Sequence, residues 1–414
     1  MKFDAVVLGG GMVGVSTGIH LLKRGRSVAI VDRKAPGNET SLGNAGLIQR
    51  EGVYPYAFPR DAASLMRYAK NRSPDVRYHR NAIGRNAPFL AKYWYHSEPG
   101  RHAAIARSYA TLIAHCVTEH RSLSAAADAD HLIRQGGWIK VFRRPAVQDA
   151  ELRAVERWQH EYGVTYEALD AAALRALEPS LSQVLLGGVR YTGSETVRDP
   201  KALLDAYLAY FKTLGGVVIV GDAASLTHRS PRWELTTTEG AVQADAIVVA
   251  LGPWSSTLVA RFGYTIPFGL KRGYHMHYAP QTGAQLQHPV LDAENGYMLA
   301  PMLRGIRLTT GVELARDDAP STPLQVELTE RSAREMFPLG ERLDPTPWLG
   351  RRPCTPDMMP IIGPTQHEGL WFAFGHAHHG LTLGPVTGRL IAEMMTGQTP
   401  FVDPAPFHVR RFTR

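Results

Sequence analysis

Cysteine is scarce: Cys116 and Cys354 are the only two in 414 residues. Two thiols cannot build a disulfide scaffold, a cysteine-based zinc module or a cysteine-ligated iron–sulfur cluster, and they suit a reducing, cytoplasmic compartment. Lysine is scarce as well, supplying nine of the 46 basic residues. Basic residues outnumber the 38 acidic ones to give a net charge of +8, yet no basic run is longer than two residues. Nucleic-acid binders gather charge into stripes or tails with interleaved aromatics. Scattered arginine reads as solvated surface, so no nucleic-acid partner is expected, while peripheral contact with anionic lipid at the inner membrane face stays open. Long apolar runs are missing: Ala5 to Leu8 and Ile247 to Leu251 are strand-length, far below the roughly 20 residues of a spanning helix. No charged segment followed by an apolar stretch opens the chain, so no secretory signal is expected. There is neither an internal repeat nor a low-complexity tract. With 44% hydrophobic and 20% charged residues, the chain can build a large core, and its length predicts two or three domains.

Phe3 to Leu8 is an apolar run closed by Gly9-Gly10-Gly11. Met12 to Arg24 turns helical, Gly25 ends that helix, and Ser27 to Val31 forms a second strand followed by Asp32, which together make one βαβ unit. The middle is mostly helical, with Ala- and Leu-rich segments from about 85 to 130 and an amphipathic helix over Glu151 to Tyr162. A strand is predicted around Gly188 to Thr192, then a helix from Pro200 to Leu214 with Asp199 as N-cap and Pro200 at its first position. Val217 to Val220, Trp233 to Thr237 and Ala246 to Ala250 read as strands. Alternating strands follow at Tyr274 to Tyr278, Gly296 to Ala300 and Ile306 to Thr310. The end returns to an apolar strand, Leu370 to Phe374, a Gly/His turn, and a helix from about Thr382 to Met395. The fold class expected is α/β, in part α+β.

Gly9, Gly11 and Gly14 match G-x-G-x-x-G directly after a strand and at the opening of a helix. The first glycine permits a tight turn, the second lets backbone approach a pyrophosphate, and the third allows close helix–strand packing. Asp32 ends the second strand, where a carboxylate can accept hydrogen bonds from both ribose hydroxyls of an adenosine. Dinucleotide binding follows. Arg33 could meet a ribose 2′-phosphate, although an arginine beside such an acid is more often surface. Thr40-Ser41-Leu42-Gly43-Asn44-Ala45-Gly46, a small polar turn just after the unit, suits close approach of backbone to a second ring system. Ile247 to Leu251 runs into Gly252-Pro253-Trp254-Ser255, another strand-to-turn passage of this kind.

VVLGGGMVG, the Asp32 strand end, TSLGNAG, VVALGPWS, WLGRRPCTPDMMPIIGP and FAFGHAHHGLTLGPVTGRLIAEMM span residues 6 to 395 in order. On these stretches the chain resembles the D-amino-acid dehydrogenase branch of the glycine oxidase and D-amino-acid oxidase family of flavoproteins. The resemblance implies a discontinuous Rossmann-like FAD-binding domain over 1–50, 190–263 and 350–400. It implies a mixed-sheet substrate-binding domain over 51–189 and 264–349. It places Gly9, Gly11, Gly14, Asp32 and Arg33 at the nucleotide, with Ser41, Asn44, Ala45 and Gly46 passing close to the flavin. Ala223 falls where backbone meets the adenine, and Gly252 and Trp254 in a second FAD turn. Gly380, Leu381 and Thr382 open a C-terminal helix whose N–H groups face the flavin edge.

On the substrate side the resemblance implies that Arg352 binds an amino-acid carboxylate, to which its planar fork is suited, and that Tyr297 hydrogen-bonds the substrate. The chain departs from glycine oxidases at Gly375 to Gly380: His378 stands where those enzymes place an arginine, leaving amine contact or side-chain selection to His378 and His379. Three close histidines, and His275 with His277 on one strand face, raise the question of metal; without a nearby carboxylate pair, none is expected. Some sarcosine oxidases tether FAD through a thiolate, but Cys354 is displaced from that position, so FAD is expected to be held non-covalently. Beyond Lys271 the chain has no lysine, so the lysine with which sarcosine oxidases work on oxygen is expected to be missing. The implied reaction is dehydrogenation of a D-amino acid, or a cyclic relative of D-proline type, by hydride transfer from the α-carbon to flavin N5. Electrons then pass to a quinone or another carrier. The alternative is a secondary-amine oxidase of sarcosine or hydroxyproline type that uses oxygen.

Overall fold

The computed structural model describes residues 1–412. Strand β1 (Lys2–Leu8), helix α1 (Met12–Leu22) and strand β2 (Val28–Asp32) form the expected βαβ unit. Successive residues of β1 and β2 enter two different cores: Ala5, Val7, Val28 and Ile30 pack on one side, and Val6, Leu8, Ala29 and Val31 on the other. A parallel strand buried on both faces must be apolar at every position rather than at alternate ones, which is why these runs are unbroken.

The middle of the chain supplies α2 (Ile83–His96), α3 (Pro99–Ile113), α4 (Cys116–Ala126), β3 (Trp138–Phe142), β4 (Gly187–Tyr191) and α5 (Pro200–Thr213). Asp199 caps α5 as expected, its carboxylate accepting from the N–H of Lys201 and Ala202. There follow β5 (Val217–Val220), β6 (Arg232–Thr237), β7 (Gly240–Val249), β8 (Gly269–Pro280), β9 (Tyr297–Met302), β10 (Gly305–Thr309), β11 (Trp348–Cys354), β12 (Leu370–Phe374) and α6 (Gly384–Met395).

The first sheet runs β5-β2-β1-β7 in parallel, and β7 then offers its far edge twice. Its first half pairs antiparallel with β6 and its last residues parallel with β12. The second, mixed sheet of eleven strands contains β3, β4, β8, β9, β10 and β11, with β8 at a junction where β10 and β11 both pair with it. The boundaries expected at 190 and 350 each fall inside a strand of this sheet, β4 and β11.

Helices α1 and α6 lie side by side over the first sheet at very close approach. A Cβ on Gly384 would sit 2.5 Å from Met12, and one on Gly388 would sit 2.6 Å from the backbone of Ser16. Glycine at the crossing lets the start of α6 reach the same edge of the sheet as the start of α1. No helix among the described residues is long and apolar enough to cross a membrane.

Candidate active site

One cavity of about 340 Å³ runs from the end of β1, past the start of α1 and the turn that precedes α6, to the face of β8 and β11. At its first end the chain turns sharply at Gly9, whose φ of +107° favours glycine. A Cβ there would lie 2.5 Å from the Ala250 carbonyl oxygen, and one on Gly14 would lie 1.9 Å from the Gly9 carbonyl oxygen. Gly11 caps α1 without a side chain, so the first-turn N–H groups open onto the cavity. Asp32 ends β2 facing it: one carboxylate oxygen accepts from the Gly10 N–H at 2.7 Å, the other from the Lys34 N–H at 3.2 Å. Arg33 lines the cavity with its guanidinium stacked 4.1 Å over the Trp254 ring and paired with Glu39. Ser41 accepts from the Met12 N–H at 3.1 Å. The residues fit a dinucleotide: free helix N–H groups for phosphates, an acid for ribose, and glycine where side chains would fill the cradle.

Of the residues expected at the cofactor, Gly9, Gly11, Asp32, Arg33, Ser41 and Asn44 line the cavity, as do Ala223, Gly252, Trp254, Gly380 and Leu381. Gly14 lies beneath it, between helix and strand. Ala45 and Gly46 are turned away, with Gly46 against the Val197 carbonyl. Thr382 is also off the cavity: its hydroxyl donates to the Leu47 carbonyl at 3.0 Å, and α6 starts at Gly384 rather than at Thr382.

At the other end Arg352 and His378 line the cavity. The Arg352 guanidinium lies over Gly273, where a Cβ would sit 2.6 Å from both terminal nitrogens. It donates to the carbonyls of Gly311 at 2.8 Å and Thr310 at 3.2 Å, and among the described residues no carboxylate pairs with it. Trp348 lies flat over Gly350 and Gly43 and stacks on His275 at 4.9 Å. The Tyr56 ring packs 4.5 Å from His378. Burial, then the charges of His379, Arg352 and Lys271, holds the His378 imidazole well below its usual range, so it is neutral.

Two expected substrate residues lie elsewhere. Tyr297 is wholly buried in the apolar core of the second sheet, its hydroxyl 3.3 Å from Asp292 and 3.7 Å from the Met336 sulfur. Strand alternation decides this: β9 turns Tyr297 to the face packed on Leu299, Met336 and Phe337, away from the cavity. His379 does not line the cavity: its ring packs 3.9 Å from that of His378, and its Nδ1 shares a 2.6 Å hydrogen bond with the Tyr109 hydroxyl. Tyr109 comes from α3, and no local signal in the chain ties it to this turn. His376 bonds Thr387 at 2.8 Å, and His277 meets Asp344 at 2.8 Å. Among the described residues no group of three such side chains is placed to hold a metal. Cys354 is buried, its thiol pushed up by burial.

Lys271, to which the sequence assigns no role, lies beside this end of the site, set back from the residues that line the cavity. It stands directly opposite Arg352 in the β8–β11 register, with its ammonium 4.0 Å over the Tyr93 ring. Burial, opposed by Cys354 and reinforced by the charge of Arg352, pushes it down to about 8. Only the pairing of strands some eighty positions apart reveals it.

The family model for FAD-dependent oxidoreductases matches residues 4–394. The chain belongs to this family. It is an enzyme of the oxidoreductase class, with FAD as cofactor. A D-amino-acid oxidase of Bradyrhizobium diazoefficiens is 30% identical over 419 residues, covering 98% of each chain. A D-amino acid dehydrogenase of Cereibacter sphaeroides is 30% identical over 429 residues, covering 98% of this chain and 95% of that protein. In fold the chain is similar to glycine oxidase from Geobacillus kaustophilus, with a TM-score of 0.75 at 23% identity over 99% of this chain.

Proposed function

We propose that this oxidoreductase dehydrogenates D-amino acids and passes the electrons to a quinone or another carrier. The observation that carries the reading is Arg352, a cation on the cavity with only backbone carbonyls as partners. A guanidinium placed so can offer its remaining N–H groups to a carboxylate in a fixed plane. The names of relatives at 30% identity, D-amino acid dehydrogenases among them, support the same substrate class.

The α1 N-terminus, Asp32 and the 252–254 turn would hold FAD, which would supply the acceptor for the two electrons and the hydrogen that leave the α-carbon. The chain's own work is positional. Arg352 anchors the carboxylate and so fixes where the α-carbon lies. Cations at Arg352 and Lys271 disfavour an ammonium beside them and favour the free amine, whose lone pair drives the oxidation. Neutral His378 offers a ring nitrogen to that amine. The imine released takes up water to give a 2-oxo acid and, from a primary amine, ammonia. Gly273 allows the guanidinium to lie flat on the strand.

Anaerobic bleaching of the bound flavin by D- and L-amino acids and N-methyl amines tests the substrate class. D-amino acids are expected to bleach it fastest, and a response confined to N-methyl amines would sink the reading. Arg352→Met is expected to raise the apparent KM on the order of 100-fold, and an unchanged KM would remove Arg352 from the scheme. Turnover with a quinone dye is expected to exceed peroxide formation in air, and the reverse ratio would make the enzyme an oxidase.

A further inference from the structure

Two pairs of basic residues face each other across β8 and β11: Arg272 opposite Arg351, and Lys271 opposite Arg352. Opposed residues of an antiparallel pair leave the same face of the sheet, and like charges there repel. On one face the repulsion is relieved from within the protein, because Arg272 is ion-paired with Glu313 at 2.8 Å. On the other face no acidic side chain among the described residues relieves it. Arg352 meets only the carbonyls of Gly311, Thr310 and Arg272. The Lys271 ammonium meets the Tyr93 ring and the Met358 sulfur, each at 4.0 Å, and no carboxylate among the described residues.

Acids on neighbouring segments are engaged elsewhere. Glu51 accepts from Ser194, Gln49 and Trp138, and Asp357 is paired with Arg411 at 2.8 Å. The other titratable groups around the pair, Cys354, Tyr56 and His378, are each shifted by burial toward the neutral form. Two cations drawn out of water without a counter-charge are costly, and a ligand carrying two negative charges removes that cost. The side chains also diverge. Arg352 lies back over Gly273, whereas Lys271 reaches toward Tyr93 on α2. Two anionic groups separated by a short chain would therefore meet them better than a single one.

We propose that Lys271 and Arg352 together select a dicarboxylic substrate, the α-carboxylate on Arg352 and a side-chain carboxylate on Lys271. The preferred substrates are then acidic D-amino acids of aspartate or glutamate length. The proposal rests on the reading of Arg352 as the α-carboxylate site, and extends it to substrate choice.

Calorimetric titration of the holoenzyme with two non-oxidisable acids of equal length, glutarate and valerate, tests it without turnover. Glutarate is expected to bind on the order of 10- to 100-fold more tightly, the usual worth of one charge-assisted contact. Lys271→Met is expected to abolish that ratio and Lys271→Arg to restore most of it. Equal binding of the two acids by the unsubstituted enzyme overturns the proposal, whatever the variants do. Anaerobic bleaching by D-glutamate against D-glutamine then separates the two readings. Faster bleaching by D-glutamine leaves a D-amino-acid dehydrogenase and overturns the acidic preference. Preferential glutarate binding with no bleaching by any D-amino acid supports the two-cation site and overturns the dehydrogenase reading.

Discussion

A single methyl group is enough to test the cradle at the end of β1. Alanine at Gly14 would place its Cβ 1.9 Å from the Gly9 carbonyl oxygen, inside the turn. Gly14→Ala is therefore expected to cost about 1–3 kcal/mol and to weaken FAD retention, read by thermal melting with and without added FAD. Unchanged melting and retention would mean that the turn yields easily. Tyr297 marks the opposite case. Its hydroxyl sits in the core beside Asp292 and Met336, so Tyr297→Phe is expected to cost no more than about 1 kcal/mol and to leave KM within roughly twofold. A tenfold rise in KM would return Tyr297 to the substrate. Arg352 and Tyr297 both stood out by motif, yet a motif does not say which way a side chain leaves its strand. Arg352 faces the cavity and Tyr297 does not.

Elements are held around the site by charges that the helix patterns alone do not reveal. Arg389 on α6 donates to Glu119 on α4 and to Glu393 one turn along α6, each at 2.7 Å, while Glu393 also accepts from the Phe401 N–H. Both glutamates are largely buried; without the guanidinium Glu119 loses its ion-pair partner, whereas Glu393 keeps Arg24 at 3.5 Å and the Phe401 N–H. Arg389→Ala is expected to lower stability by roughly 1–3 kcal/mol in urea melts, and a loss below about 0.3 kcal/mol would show that water replaces the arginine. Helices α1, α5 and α6 were each legible from apolar spacing and caps, because those signals are local. The pairing of β8 with β11 was not, because register is set by side chains from segments far apart in the chain. That is why Arg352 was visible in the sequence and its neighbour Lys271 was not.

Burial of imidazoles sets how the protein as a unit answers acid. His20, His376 and His379 are each pushed down to about 3, in every case chiefly by burial. In the unfolded chain such groups take up a proton near pH 6.5. The unfolded state then binds more protons between pH 6.5 and 3. The stability these residues contribute is complete above pH 6.5 and is lost as pH falls through that window. At pH 5 the loss amounts to about 2 kcal/mol for each one that stays neutral. Urea midpoints are expected to be clearly lower at pH 5 than at pH 7, and equal midpoints would contradict such deep burial. Acid precipitation reads the cofactor linkage: FAD is expected to stay in the supernatant, and yellow colour in the pellet would show a covalent tether.

The glycine spacing, the acid at the strand end and the order of motifs were enough to specify a dinucleotide-binding βαβ unit and its flavoprotein family. Each is a short-range demand: a turn that only glycine can make, a carboxylate one strand away, a helix N-terminus left open. The direction of Tyr297, the retreat of Thr382 and His379 from the cavity, and the unrelieved pairing of Lys271 with Arg352 were decided by tertiary structure. Which face a strand turns inward, and which charge finds a partner there, depends on segments that meet only when the two sheets close on each other.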